Sequence, residues 1–521
     1  MSRRWGWTFG ALLLLVVLVI AVSFIAERPL RRVVERQLNA CVQGYTAQIG
    51  GLDLRPLALS VRVRDLHVVQ DAHPEPPLIM IPRVTTDLRL APLLRGRLVA
   101  SVLVVESHIN ARRAQLVHAM ETPGVVVKDC TLLKMMKFLH AVDMFRLHDA
   151  SVSYVDQAGA RPLTVRALSV DVRNIRIQRS GPDADPSPLK VEALVFDEGR
   201  LHVDGAADLL RQPYAAFKGR VEMVRVPIDR LGPLVAPYGL TVTRGTLGLA
   251  GSIEYAPDLK VVDLEYANVD GLQADYVYRK VAAQPVKETV KEAADKARQV
   301  IRGTNVRLTA RRISTTNAIV GFVYEDVRPR YRIYLSEIDA QMENFSSHLT
   351  EGRMTAQVTA RFMGSGDTVV AATVRPELDG PDFDLSARIE NMDVKKMNDM
   401  LRVHGKIDVA SGLFSVYSEF HVKYGRVNGY VKPLLHDLKL DESQVDREKS
   451  VGQKIKEKTA NIVSKLLRNR PRQDIATTMP IAGPLENPKA DTWATMVYLI
   501  QNAFFKAILP GFVGGEAGAK P

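Results

Sequence analysis

The residues best suited to chemistry do not form a recognisable catalytic set. Gly364, Ser365 and Gly366 begin a GxGxxG motif, but Val369 occupies the third glycine position, so neither a dinucleotide site nor a phosphate cradle is expected. The chain has no P-loop, no HExxH, no GxSxG elbow and no zinc-deaminase spacing. We therefore expect a protein that is not an enzyme.

The residues that could bind a metal also lack the spacing of a recognisable metal site. Of the three histidines between 404 and 436, His421 alternates with Lys423 on the polar face of a predicted strand, which is typical of a solvated surface. Cys41 and Cys130 are the only cysteines and cannot form a zinc site of their own. A disulfide between them and two separate buried thiols both remain open. We expect no metal and no cofactor.

The element that organises the chain is a predicted strand that begins near Leu413. Its apolar residues recur at every second position and alternate with polar ones, the pattern of a half-buried strand. A turn at 424–426 leads to a second strand that runs to Tyr430, and Pro433 is expected to end it. The apolar residues of the first strand are Phe414, Val416, Phe420, Val422 and Tyr424.

A second copy of this arrangement occurs earlier in the chain. Residues 226–239, VPIDRLGPLVAPYG, match residues 392–405, MDVKKMNDMLRVHG, in length, in apolar positions and in the closing glycine. A short strand, another glycine and a longer strand follow each segment. We predict a duplicated β unit with a spacing of roughly 170 residues, which is longer than ordinary solenoid repeats.

The N-terminus has the pattern of a membrane anchor. Two arginines precede an apolar run that extends from Phe9 to Ala26, long enough to cross a hydrocarbon core as a helix. A cleaved signal peptide is the alternative, but no clean small-x-small site precedes Glu27. Arginines at 28, 31, 32 and 36 would by charge alone favour the opposite topology.

The charge of the chain leaves two classes of partner. A formal net charge of +12 suits nucleic acid or an anionic membrane surface. Aromatic residues make up only 6%, the basic residues are dispersed through the strands, and no helix-turn-helix or zinc-finger spacing occurs. We therefore expect no nucleic-acid partner.

The predicted fold is mainly β with helices. An N-terminal transmembrane helix precedes a long curved antiparallel β-groove that is built from the duplicated unit and followed by C-terminal amphipathic helices. Of these, the helix predicted at 491–509 is either a lid or membrane-contacting element, or a plug that closes the open end of the β structure as ordinary core. The predicted boundaries are a transmembrane anchor at 1–27, an N-terminal helix and β segment at 28–145, a first repeat at 146–275, a charged spacer helix at 276–311, a second repeat at 312–440, and C-terminal helices with a short strand at 441–521.

Several segments of the chain resemble AsmA-like proteins of the Gram-negative envelope. The resemblance rests on LALSVRVRDLHVVQD at 57–71, on the segment from Pro77 to Arg113, and on GTLGLAGSIEY at 245–255. YVKPLLHDLKL and IAGPLENPKADTW are similar to a subgroup of that superfamily known as a domain of unknown function. The motifs are structural, so the resemblance is specific for the family and uninformative about activity.

The resemblance implies a single-pass inner-membrane protein, anchored through residues 5–26, whose body lies in the periplasm. It also implies a β-groove that binds phospholipid acyl chains and assists lipid transport or outer-membrane homeostasis. The chain is short for a bridge between the two membranes. The alternative is a non-enzymatic scaffold or outer-membrane assembly factor whose groove is filled by protein, with an envelope protein as its partner.

The expected groove face and headgroup contacts follow from these patterns. An Asp at Val416 or Phe420 should abolish acyl-chain binding, whereas a change at Lys423 should not. The predicted acyl-lining residues are Leu59, Val61, Val63, Leu88, Leu90, Val416, Phe420 and Val422, and the predicted headgroup contacts are Arg28, Arg31, Arg32 and Arg36.

Overall fold

A computed structural model describes most of the chain between residue 27 and residue 499. The described residues are 27–40, 44–121, 141–156, 161–176, 186–208, 216–256, 259–278, 306–347, 352–376, 381–405, 408–441, 475–476, 478–484, 495–496 and 499. The predicted anchor and both cysteines lie outside these residues, as do most of the predicted spacer helix and of the predicted C-terminal helices. Residues 276–278 and 306–311 of the predicted spacer are described, and they belong to strands instead of a helix. Among the described residues, no helix has the length and apolarity needed to span a bilayer.

The described residues are mainly β, as the sequence predicts. All of their strands belong to a single sheet. The strands are β1 Tyr45–Arg55, β2 Ser60–Gln70, β3 Ile79–Leu88, β4 Val99–Val105, β5 His108–Arg112, β6 Ala141–Val155, β7 Leu163–Arg176, β8 Ser187–Val195, β9 Gly199–Asp208, β10 Ala216–Pro227, β11 Leu240–Ala256, β12 Leu259–Tyr278, β13 Val306–Tyr324, β14 Tyr331–Ser346, β15 Met354–Phe362, β16 Gly366–Val374, β17 Phe383–Asp393, β18 Val409–Lys423, β19 Arg426–Leu440, β20 Ile475–Ala476 and β21 Met479–Pro484.

The described helices are short apart from the first. They are α1 (27–40), α2 Leu90–Leu93, α3 Arg113–Glu121, α4 Gly232–Val235 and α5 Asn398–Gly405. Single 3-10 turns occupy Pro56–Ala58, Ile228–Leu231, Ala236–Tyr238 and Val394–Met397. The two matching segments of the sequence therefore share the succession of strand, 3-10 turn, helix and strand, and the first segment has an additional 3-10 turn at Ala236–Tyr238 after its helix.

The sheet is mixed, which corrects the expectation of a purely antiparallel one. Strand β6 pairs in parallel with β4 and then with β5, whereas its pair with β7 and the pair of β2 with β3 are antiparallel. A parallel pair needs a crossover connection, and α3 with residues 122–140 supplies the chain that returns from β5 to β6. Alternation in the sequence shows which residues share a face, but it does not show the direction of the neighbouring strand.

The chain divides into two compact units. The first unit comprises residues 1–233 and 250–261, and the second comprises residues 234–249 and 262–521. Both of the clusters that buried apolar side chains form among the described residues consist of second-unit residues. The first unit is instead organised as successive strand pairs whose apolar side chains are mostly only partly buried.

Residues with a positive φ recur along the strands, and at each of those described below the apolar side chains change between odd-numbered and even-numbered positions. On β6, Asp149 has a φ of 53°, and the pairing with β7 shifts at this position. The apolar residues change there from odd numbers, Phe145 and Leu147, to even numbers, Ala150 and Val152. Such a bulge keeps the apolar side chains on one face while it bends the strand. The same break occurs at Asn317 and Asn391, which precede buried Ala318 and Met392.

Candidate functional site

The first unit carries a continuous row of aliphatic side chains across nine strands. Directly opposed residues in an antiparallel or parallel ladder share one face of a sheet, and the registered pairs link one residue from each of nine neighbouring strands. The row crosses β1, β2, β3, β4, β6, β7, β8, β9 and β10. Its members are Leu52, Val63, Val84, Val104, Leu147, Val170, Val191, Val203 and Val221.

The exposure of this aliphatic row is uneven. Leu52, Val104 and Val221 are buried. The six other members are only partly buried, although side chains of the same face flank each of them. Eight strand spacings of about 4.8 Å make the row roughly 38 Å long. An aliphatic surface of this length that stays partly open to solvent is the first unit's main candidate site.

The opposite face carries a second row in which charges alternate in sign. Each of its residues is the sequence neighbour of a residue in the aliphatic row. Cross-strand opposite charges stabilise a sheet modestly. Arg146 lies 3.3 Å from Asp171, and Lys190 lies 3.3 Å from Asp204. The members of this charged row are Arg146, Asp171, Lys190, Asp204 and Arg220.

Asp171 is the best-bonded member of the charged row. Burial acts to raise the pKa of its carboxyl group, but hydrogen bonds and charges from Arg173 and Arg146 outweigh it, so the pKa lies below its usual value. Arg173 Nε donates to Asp171 Oδ1 at 3.0 Å, and Arg146 Nη2 donates to Oδ2 at 3.3 Å. Because the folded-state pKa is depressed, this contribution to stability is present at neutral pH and is lost as the pH falls through that pKa.

We expect Asp171→Asn to lower the free energy of unfolding by about 1 kcal/mol at pH 7, because an exposed ion pair contributes about that much. The difference from the wild type should begin to shrink as the pH falls below about 4, where Asp171 of the unfolded chain becomes protonated, and should be lost once the pH has fallen through the lower folded-state pKa. Urea denaturation at several pH values measures both. The control is the same substitution in an Arg146→Gln, Arg173→Gln background, where both cationic partners of Asp171 are absent and the pH-dependent difference should be much smaller. A pH-independent difference for Asp171→Asn would contradict the assignment.

The structure separates the predicted acyl-lining residues of the first unit. Val63 belongs to the aliphatic row. Val61 on β2 and Leu88 on β3 lie beside the row, and their side chains are on the same face of the sheet. Leu59 is not in a strand, because Pro56 starts a 3-10 turn and Leu59 closes it with a φ of 51°. Leu90 begins α2 instead of extending β3, and it is 59% exposed.

The structure places the predicted acyl-lining residues of the second unit inside a closed core. The alternation expected from the sequence is confirmed along β18, where Val416, Phe420 and Val422 are 8%, 1% and 1% exposed. They belong to a large cluster that also contains residues of the 3-10 turn at Val394–Met397, of α5 and of the C-terminal region. Those covering residues are Val394, Met397, Met400, Leu401, Met496 and Leu499.

Two details of the predicted β18–β19 hairpin are wrong. Tyr424 lies in the turn with a φ of 52° and is 70% exposed, so it does not continue the apolar face. Pro433 does not end the second strand, because β19 continues to Leu440. Pro433 falls between the residues that pair with β21, which end at Val431, and those that pair with β20, which begin at Leu434. Pro433 lies opposite Val416 of β18, but no residue of β20 or β21 is registered with it, and a proline is tolerated where one side of a strand needs no N–H donor.

The four predicted headgroup arginines lie on two sides of α1. Arg28, Arg32 and Arg36 recur every four residues and are exposed, so they form one cationic stripe. Arg31 lies on the other side, where its Nη1 donates to the carbonyl of Gly50 on β1 at 2.9 Å. Helical spacing in the sequence could have separated these two sets.

His421 and its neighbours form a surface network of charges. His421 Nδ1 lies 2.7 Å from Asp384 Oδ1, and Arg375 bridges Asp384 and Asp382. Within the described residues, no group of three or more histidine, cysteine or acidic side chains could hold a metal ion. The His421 network is accounted for by ion pairing on the polar face of β17 and β18.

Comparisons with known proteins add no assignment. No protein-family model matches the chain, and no curated protein matches it. The resemblance to AsmA-like proteins therefore stays a prediction from the sequence.

Proposed function

We propose that this chain is a membrane-anchored periplasmic protein that binds phospholipid acyl chains and assists lipid transport or outer-membrane homeostasis. The aliphatic row of the first unit is the observation that carries the proposal. Valine and leucine side chains there are aligned across nine strands and remain partly exposed. The proposal includes an AsmA-like identity, an inner-membrane anchor at residues 5–26 and a non-enzymatic role.

The physical reason concerns the cost of exposing hydrocarbon to water. Each methylene group that leaves water gains about 0.8 kcal/mol, so an acyl chain of about 16 carbons gains on the order of 13 kcal/mol when it is covered. The aliphatic row would supply that cover and would lower its own exposure at the same time. An antiparallel sheet with one apolar face needs such a cover, and lipid is one solution.

The proposed headgroup contacts are the exposed arginines of α1. Arg28, Arg32 and Arg36 present three guanidinium groups on one side of a helix that directly follows the predicted anchor. Guanidinium groups bind phosphate oxygens through paired hydrogen bonds. Arg31 is left out of the proposed set, because its guanidinium already binds the backbone of β1.

The second unit favours the alternative function, a scaffold or assembly factor whose apolar face is filled by protein. Phe420 and Val422 pack in one cluster with Met496 and Leu499, which come from the C-terminal region. A protein cover of this kind leaves no surface for acyl chains around β18. We therefore confine the proposed lipid site to the first unit, and we keep an envelope protein as the alternative partner.

Photo-crosslinking of the full-length chain in Gram-negative membranes tests the proposal. A benzophenone residue at Val191 in the aliphatic row should give phospholipid adducts in mass spectrometry, because its side chain faces the proposed acyl site. The same probe at Glu192, the next residue on the opposite face, is the matched control and should give none. Protein adducts at Val191 in place of lipid would support the scaffold function and overturn the lipid site.

A further inference from the structure

Among the described strands, β1 is registered with β2 along one edge, and its other edge is covered by side chains of α1. Asn39 binds one residue of the strand twice, because Ala47 N–H donates to Asn39 Oδ1 at 2.6 Å and Asn39 Nδ2 donates to Ala47 O at 3.1 Å. Ile49 N–H donates to Glu35 Oε1 at 2.7 Å. Arg31 completes the set at Gly50 O. Three helical side chains thus supply the hydrogen bonds that a neighbouring strand would supply.

Apart from the cover by α1, strand β1 carries little of the usual protection of an edge strand. Unprotected edges pair with other chains unless proline, charge, a bulge or a covering element prevents it. Strand β1 has 11 residues, no proline and only two charged residues, Asp53 and Arg55, both near its C-terminal end. Strand β21, which pairs with β19 near the other end of the described chain, carries Pro480 and Pro484. A proline has no N–H to offer to a further strand.

We propose that α1 is an edge guard, and that β1 pairs with β1 of a second copy of this chain when the guard is removed. The sequence of β1 suits antiparallel pairing with itself. With Ile49 opposite Ile49, Asp53 would lie opposite Tyr45 and no like charges would face each other.

The test removes the guard in the full-length chain held in detergent micelles. Glu35→Ala combined with Asn39→Ala deletes three of the four hydrogen bonds. Mass photometry should then show a dimer whose dissociation constant is at least tenfold lower than that of the wild type. Val33→Ala changes an exposed side chain of the same helix and should leave the wild-type distribution unchanged.

A further variant shows whether the β1 edge itself forms the contact. Ala47→Pro added to the guard deletion removes an outward N–H and should abolish the dimer. A dimer that survives Ala47→Pro, or a guard deletion that stays monomeric, overturns the proposal.

Asn39→Asp keeps the acceptor for Ala47 N–H and loses only the donor, so it is the milder variant should the double deletion fail to fold. Faster amide exchange at Ile49 in the Glu35→Ala single variant supports the guard, and unchanged exchange overturns it.

Discussion

Replacing Phe420 by alanine is expected to lower the stability of the second unit by about 3–5 kcal/mol, the usual cost of removing a buried phenylalanine side chain. Phe420 is 1% exposed, and its neighbours in the cluster come from other strands, from α5 and from the C-terminal region. A cavity at this position would have packed groups on every side, so little of it could be filled by relaxation.

Chemical denaturation followed by amide exchange measures this effect, because peptides from β18 report the second unit separately from the first. Leu413→Ala is the matched control on the same strand. Its side chain is 37% exposed, so the expected cost is below about 1 kcal/mol. Unchanged stability of Phe420→Ala together with a loss of bound lipid would show that lipid reaches this face, and our placement of Phe420 in a closed core would be wrong.

The loss of stability expected for Phe420→Ala replaces the loss of lipid binding that the sequence alone suggested for an aspartate at this position. Alternation along β18 correctly identified Phe414, Val416, Phe420 and Val422 as one apolar face. It could not show what covers that face, because lipid and protein both select the same apolar residues. An aspartate at Phe420 would therefore remove lipid binding only indirectly, by unfolding the unit that contains it.

The left-handed residues explain where the strand predictions lost register. Period-two reasoning assumes that every residue is extended, whereas Asp149, Asn317 and Asn391 have φ values of 53°, 48° and 55°. Asparagine and aspartate adopt this region more readily than other non-glycine residues. A signal was present in the sequence, since each of them ends a run of polar residues directly before an apolar one: a run of two at Asp149 and Asn391, and a run of four at Asn317. An asparagine or aspartate that ends a polar run within an alternating strand therefore indicates a bulge.

The aliphatic row itself could not be located from the sequence. Each of its nine members is one apolar position among several on its own strand, and only the cross-strand register aligns them. The register depends on turns and bulges that the sequence leaves open. Sequence reasoning found Val63 and missed Val104, Leu147, Val170 and the members beyond them, because their strands were not matched to one another.

The lysine variant of Val191 is the change with the largest expected effect on the proposed lipid site. Val191 lies near the middle of the β6–β10 part of the aliphatic row, directly between Val170 and Val203. A charged group there would have to remain hydrated under an acyl chain, and an unpaired charge is expensive to remove from water. We expect Val191→Lys to reduce copurifying phospholipid at least tenfold.

Glu192→Lys is the control that separates the effect of a charge on the aliphatic face from the effect of a lysine anywhere on this strand. It introduces the same side chain one residue away, opposite Ser169 and His202 on the polar face, where a lysine stays in water. Lipid content per folded chain, measured by mass spectrometry with circular dichroism as the check on folding, should stay at the wild-type level. Equal losses in both variants would indicate a general effect of charge, and equal retention would mean that the aliphatic row is not the surface that holds lipid. Only a loss confined to Val191→Lys is compatible with acyl chains lying on this face, because Glu192→Lys places the same side chain on the opposite side of the sheet and makes the larger change in net charge.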